Sequence, residues 1–216
     1  NWYQTAASNP DDLVDLAILW RHPHLVYDAP RGRVTWLWNH DLQDKMKAYY
    51  DDDTMSRIDK VMFLSEFHRL TAPWVPDEKV FFTSNGVDPE LMVAGDNDPN
   101  TVIYASSPDR GLDTLLAMWP EISNAHPKAR LKVFYGFNKW FDERYKNDEG
   151  MMKWKNDLLM TMEEDPTIDY IGSVGQDVLA KEIASSGVWA YPTQFGEISC
   201  ITAMKMQCGG AIPVTT

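Results

Sequence analysis

Cysteine is nearly absent from this chain, which has two, Cys200 and Cys208, in 216 residues. A chain of this length needs no disulfide scaffold, and lying eight apart near the C-terminus in an apolar context they read as small core residues of a reduced cytosolic protein. Basic residues are scarce as well. Lys plus Arg number 20 against 32 Asp plus Glu, giving a formal net charge of -12 and a pI near 4.7. Divided near Gly95, the first part holds 9 basic and 15 acidic residues and the second 11 and 17, so each nets -6 and no basic arm is concealed. A field of that sign repels phosphate backbones and anionic lipid, and no nucleic-acid partner is expected. Also missing is any apolar run of the roughly 18 residues needed to span a bilayer. Asn1–Asp12 lacks the basic and apolar regions of a signal peptide, and no Asn-x-Ser/Thr site occurs. A cytoplasmic location is the expectation. There is no initiator Met, and the chain stops at Thr216 straight after an apolar strand pattern, so it reads as cut at both ends.

What is present is an ordinary globular balance, 44% hydrophobic and 24% charged, with 12 Gly and 13 Pro. Short apolar runs alternate with amphipathic stretches along the whole length, the pattern of parallel βα units. Strands are predicted at 16–20, 34–38, 61–65 and 80–83, then at 101–105, 131–135, 167–171, 188–191 and 212–215. Most are continuous in Val, Ile, Leu and aromatics, as expected of strands covered by helices on both faces. Helices are predicted over 111–123, where Pro120 should bend or restart the helix, and over 151–162, 176–185 and 198–207, the last stopped by Gly209 and Gly210. The polar stretch 85–100 reads as a linker between two α/β units.

Several familiar devices of chemistry are missing: a Walker loop, a GxGxxG fingerprint, HExxH, CxxC and GxSxG. Asp51-Asp52-Asp53 and Asp96-Asn97-Asp98 fit an Asp-x-Asp metal pattern but lie in polar stretches away from strand ends, and read as solvated turns. His22-Pro23-His24 has no further ligand at metal spacing and reads as a loop. Gly172-Ser173-Val174-Gly175 after a strand is a fragment of a phosphate loop. The informative segment runs from Val188 to Val214. There a buried strand ends in a loop bearing Glu197, and a helix begins whose first amides, near Ser199, Cys200 and Ile201, have no internal partner. Such a helix start beyond a parallel strand suits a diphosphate, because orphan N–H groups and the helix dipole both favour an anion. The alternative is a surface Glu that caps the helix.

This segment, Tyr191-Pro192-Thr193-Gln194-Phe195-Gly196-Glu197 through Lys205 to Pro213-Val214, resembles the donor-sugar signature of retaining GT-B-fold glycosyltransferases of family 4. Tyr104-Ala105-Ser106-Ser107-Pro108-Asp109-Arg110-Gly111 is similar to that family's strand-loop-helix opening the C-terminal domain. Ser84-Asn85-Gly86-Val87-Asp88 resembles its interdomain segment, and Phe63-Leu64-Ser65-Glu66-Phe67 the strand before it. The resemblance implies an α/β, GT-B-type fold of two Rossmann-like parallel-sheet units, both incomplete. Residues 1–95 would be the later part of an N-terminal, acceptor-side domain plus linker. Residues 96–216 would be a truncated C-terminal domain binding a nucleotide-sugar donor.

Position by position, the resemblance makes Glu197 the carboxylate that holds hydroxyls of the transferred sugar, and Arg110 the clamp on the donor phosphates. Lys205 stands where a second Glu would bind the ribose, and an ammonium cannot accept from two hydroxyls. It is then a phosphate contact, a solvated helix residue or a sign of weakened nucleotide binding. His40, ending the Trp36-Leu37-Trp38-Asn39 strand, stands where the family often has a cleft-facing histidine, with Asp41 to fix its tautomer; a core or capping histidine is the alternative. No protein nucleophile, cofactor or metal is implied: the acceptor attacks on the same face and the leaving diphosphate serves as base. The donor would be a nucleotide-diphosphate sugar and the acceptor is unknown. A non-catalytic nucleotide-sugar-binding or interaction protein of the same descent is the second reading. Incomplete edges would expose apolar faces, so self-association into a homo-oligomer is also expected.

Overall fold

The computed structural model describes residues 13–216; the reading of Asn1–Asp12 as lacking a leader lies outside the described residues. The chain divides into two compact units. One runs to Asn85 and takes in Gly196–Ser199; the other comprises Gly86–Phe195 and Cys200–Thr216.

The first unit contains β1 (Leu13–Trp20), β2 (Arg31–Trp38), β3 (Lys60–Phe63) and β4 (Val80–Phe82), side by side in chain order and all parallel. Two one-turn helices connect them, α1 (Asp52–Ser56) and α2 (Glu66–Leu70). Each starts where a side chain takes an orphan amide: Asp51 accepts from the Thr54 N–H and Ser65 from the His68 N–H. The Asp51–Asp53 run is therefore a cap and first helical turn, with Asp53 bonded to Tyr27 and paired with Arg57 at 3.3 Å. One sheet face, with Leu19, Leu37, Val61 and Phe63, packs against the connections through Tyr50, Ile58, Ala72 and Val75. The other face leaves Leu16, Ile18, Trp20, Val34 and Phe81 exposed, so the expected cover on both faces is not met here.

The second unit holds β5 (Asp98–Ser106), β6 (Arg130–Tyr135), β7 (Ile168–Gly172), β8 (Ser186–Tyr191) and β9 (Ile212–Thr215), all parallel in the order β7-β6-β5-β8-β9. Helices α3 (Leu112–Ala125), α4 (Lys139–Tyr145), α5 (Glu149–Glu164), α6 (Gln176–Ser185) and α7 (Ile201–Cys208) link them. Ile103, Tyr104, Leu112, Leu131, Ile183 and Met206 are fully buried in its core. Trp119 is buried too, its Nε1 donating to Thr167 Oγ1 at 2.8 Å. Pro120 neither ends nor restarts α3, which runs on to Ala125; the proline removes only the bond that Leu116 C=O would accept. Asn97 fastens three elements, its Nδ2 donating to the carbonyls of Ile183, Ser186 and Gly209 at 3.3, 2.7 and 2.9 Å. In the same Asp-x-Asp run, Asp98 accepts from Asn100 and Thr101, which holds its carboxyl below the usual carboxylate range. Among the described residues no cluster of three or more His, Cys, Asp or Glu is placed to hold a metal, and no helix is long and apolar enough to cross a membrane.

Candidate functional site

In the second unit strand order reverses beside β5: the chain goes outward through β6 and β7, then returns to β8 on the other side. Connections on either side of such a seam diverge to opposite faces and open a crevice beyond the strands' carboxyl ends, where open α/β sheets bind ligands. The loops after β5 and β8 therefore define the candidate site.

These two loops touch through backbone. Gly111 has φ +99, and a Cβ there would lie 2.0 Å from the Pro192 carbonyl oxygen, so only glycine fits. This close approach sets Arg110 over Phe195, with the guanidinium carbon 3.1 Å from the ring centroid, while Asp109 lies 3.8 Å from its Nε. The stacking fixes the plane of the guanidinium, which suits bidentate contact with phosphate oxygens. Tyr104 OH donates to the Ser107 carbonyl at 2.7 Å and shapes the loop from below; burial pushes its phenol up.

The helix after β8 starts at Ile201, three residues later than predicted. Its first amides are therefore those of Ile201, Thr202 and Ala203, and Cys200 caps the last, its sulfur accepting from Ala203 N–H at 3.4 Å. Ser199 lies before the helix. Lys205 is half-buried and donates to Gln176 Oε1 at 2.5 Å, linking α7 to the first residue of α6; burial lowers its pKa. Gly172, with φ +75, ends the edge strand β7, two strands away from the seam. Thus Arg110, Cys200, Ile201, Lys205 and Gly172 belong to the second unit. Glu197 and Ser199 belong to the first, where the Ser199 carbonyl accepts from Asn85 Nδ2 at 3.0 Å.

His40 also belongs to the first unit, at the carboxyl end of β2. Its ring lies 4.8 Å from that of Trp38 and 5.9 Å edge-on to that of Trp20. Burial, and then the Arg21 charge, lower its pKa against an opposing pull from Asp41. The Asp41 carboxylate, expected to fix the His40 tautomer, lies instead 3.4 Å from Arg21 Nη1. The Asp41 carbonyl meets a histidine that sequence reasoning missed: His68 Nε2 donates to it at 2.9 Å while Nδ1 accepts from Leu64 N–H at 3.1 Å. With one ring nitrogen accepting, this buried imidazole is neutral, and burial lowers its pKa in keeping. The available signal for His68 was its place three residues after the capping Ser65.

No family model matches the chain, and no curated protein matches it in sequence. Solved structures do match in shape. Anabaena HepE in complex with UDP and glucose superposes with a TM-score of 0.67 at 10% identity, covering 93% of this chain and 58% of that one. Sucrose-phosphate synthase from Thermosynechococcus elongatus gives 0.64 at 15% identity, covering 93% and 55%. The E. coli trehalose-6-phosphate protein bound with UDP-2-fluoro glucose gives 0.63 at 12%, covering 93% and 58%. The fold is that of the GT-B glycosyltransferases. The chain spans a little over half the length of these GT-B structures, and its two parallel sheets are Rossmann-like.

Proposed function

We propose that the chain is part of a glycosyltransferase that takes a sugar from a nucleotide-diphosphate donor, with the diphosphate held at the β5/β8 seam. The observation that carries this is Arg110, stacked on Phe195 beside the close approach of Gly111 to Pro192, on the loop that follows β5, whose end is bonded to the first turn of α7 through Thr202 Oγ1 and the Ala105 carbonyl at 3.5 Å. A planar cation and outward amides in one crevice are the complement of a diphosphate. The neighbours in complex with UDP or UDP-2-fluoro glucose support the same class of ligand. In this reading Glu197 holds hydroxyls of the transferred sugar, and His40 stabilises the donor or orients the acceptor. The resemblance to family 4 adds retention of configuration, with the leaving diphosphate as base; the scarcity of cysteine supports a cytoplasmic setting. Catalysis is then positioning and anion stabilisation rather than covalent chemistry.

The experiment is ligand-observed NMR of the chain with UDP and UDP-glucose, repeated with Arg110→Ala and Glu197→Ala. Arg110→Ala should weaken both ligands by roughly ten- to a hundredfold, the worth of hydrogen bonds to a charged group. Glu197→Ala should weaken only the sugar-bearing one. Binding of both ligands that ignores Arg110→Ala would sink the proposal.

One observation favours the non-catalytic reading: Lys205, at the position where the resemblance implies a ribose-binding carboxylate, is bonded to Gln176. Under that reading Lys205→Glu tightens nucleotide binding, whereas an unchanged affinity argues for Lys205 as a link between α6 and α7.

A further inference from the structure

In the second unit the edge strand β7 borders a hollow of about 830 Å³. Four successive residues of the strand line it, Ile168, Asp169, Tyr170 and Ile171. Side chains along a strand point to opposite faces in turn, so a hollow reached by all four lies on neither face but runs along the strand's outer edge. Its walls agree with this. Leu159 and Met162 come from α5, and Glu182 comes from α6, which the reversal at β5 carries to the opposite face of the sheet. Among the described residues β7 pairs only with β6. The Thr167 carbonyl accepts from Leu131 N–H at 2.9 Å on the β6 side. By alternation the backbone groups of Asp169 face β6 as well, while the Ile168 carbonyl and both backbone groups of Tyr170 face the hollow. The Ile168 N–H, also outward, is taken by the Asp165 carbonyl at 3.0 Å. Unpaired strand donors and acceptors along an open groove are what a further strand binds.

Charge decides which strand would fit. Glu163, Asp165, Asp169 and Glu182 line the hollow against a single cation, Lys132, and that cation is already bonded to Glu182 at 2.6 Å. Three carboxylates are left without a partner of opposite charge along the groove. A second copy of this chain, with its net charge of -12, would bring like charge to like charge. A segment bearing Lys or Arg would instead be drawn in, and its charges would meet carboxylates on either side of the strand edge. Tyr170 and Ile171, both partly exposed, offer apolar surface between those charges.

We propose that β7 is a docking edge for an extended, basic segment of a partner protein, with Lys or Arg at alternate positions, which joins the five-stranded sheet as a sixth strand. The test is fluorescence anisotropy and amide hydrogen exchange on the 216-residue chain with a labelled peptide of alternating Lys and Val, about eight residues long. At roughly 50 mM salt it should bind with a Kd on the order of 10 to 100 µM, and the Tyr170 amide should exchange more slowly in its presence. A peptide of alternating Glu and Val should bind at least about tenfold more weakly. Methylation of alternate peptide amides, tried in both phases, should abolish binding in the phase that faces β7 and spare it in the other, a readout that needs no variant of the chain. Asp169→Asn, at an exposed position, should weaken the Lys-Val peptide roughly two- to fivefold. Absence of binding at about 1 mM overturns the proposal, as does equal binding of the acidic peptide, or binding that neither methylation phase disturbs, which is ion attraction without a strand. A dimer of the chain in size-exclusion light scattering that itself protects the Tyr170 amide would assign the edge to a second copy, and overturns it too. UDP binding on the same sample reports on the β5/β8 seam alone, so the two proposals fail independently.

Discussion

The two sheets are made of the same kind of strand, yet one is covered on both faces and the other on one. The cause is strand order. Crossovers between parallel strands are right-handed, so a sheet that advances in one direction, as β1-β2-β3-β4 does, places all its connections on one face. Leu19, Leu37, Val61 and Phe63 are buried there, while Leu16, Ile18 and Val34 on the opposite face stay exposed. The order β7-β6-β5-β8-β9 reverses direction at β5, so connections fall on both faces and Val102, Ile103, Tyr104 and Ala105 are buried in succession. The same reversal opens the crevice that holds Arg110. Cover and candidate site in the second unit therefore have one origin.

This contrast can be broken by experiment. Ile103→Ala, in the doubly covered β5, should cost about 2–5 kcal/mol in urea denaturation, as an aliphatic truncation in a full core does. A loss below about 1 kcal/mol would mean that β5 is not the centre of a packed sheet. Gly111→Ala comes next. Its φ of +99 alone implies about 1–3 kcal/mol. The blocked approach to Pro192 should also displace Arg110, so UDP binding should fall together with stability; normal binding would separate the two loops. Acidification should affect the first unit earlier. His40 and His68 both have pKa values lowered by burial, so the unfolded chain takes up their protons first, and stability falls as pH drops below about 6.5 toward the depressed folded values. In the second unit Asp98, held below the usual carboxylate range, gives up its contribution only as pH falls below about 4. Amide exchange at pH 7 and pH 5 should show protection lost in β1–β3 and kept in β5–β8; the reverse order would remove the histidines as the cause. The smallest effect belongs to Ile18→Ala on the open face, within about 0.5 kcal/mol for a chain that does not self-associate. A larger loss, with a dimer in size-exclusion light scattering, would show that this face is covered by a second copy.

The nine strands of the described residues were legible in the sequence as short apolar runs, including those that the structure leaves largely exposed such as β1 and β9, and the predicted set matches β1–β9 to within a few residues. Helix α6 was legible from its spacing of Val178, Leu179 and Ile183. Helices α1, α2 and α4 were not, since five to seven residues are too few for a 3.6-residue period to emerge. Their caps, Asp51, Ser65 and Asn138, were the only local signal. The start of α7 was placed early because apolar Ile198 looked helical, whereas it is buried in the loop before Cys200. At the seam, Arg110 and the strand-loop-helix pattern could be read from residue order. The Phe195 face under Arg110 and the tie between Lys205 and Gln176, 29 residues apart, arise only when the sheet is assembled. The same holds for Arg21, which follows β1 and meets Trp38 and His40 at the end of β2 only once the two strands pair.

The cap on α7 has a consequence of its own. Most helix starts are closed by an oxygen, but here a thiol does it, and sulfur is a poor acceptor for an amide hydrogen. The Ala203 amide is thus held by a partner that any incoming anionic oxygen outcompetes. Replacing Cys200 with serine would shut that door more firmly, trading an adaptable helix start for a steadier one.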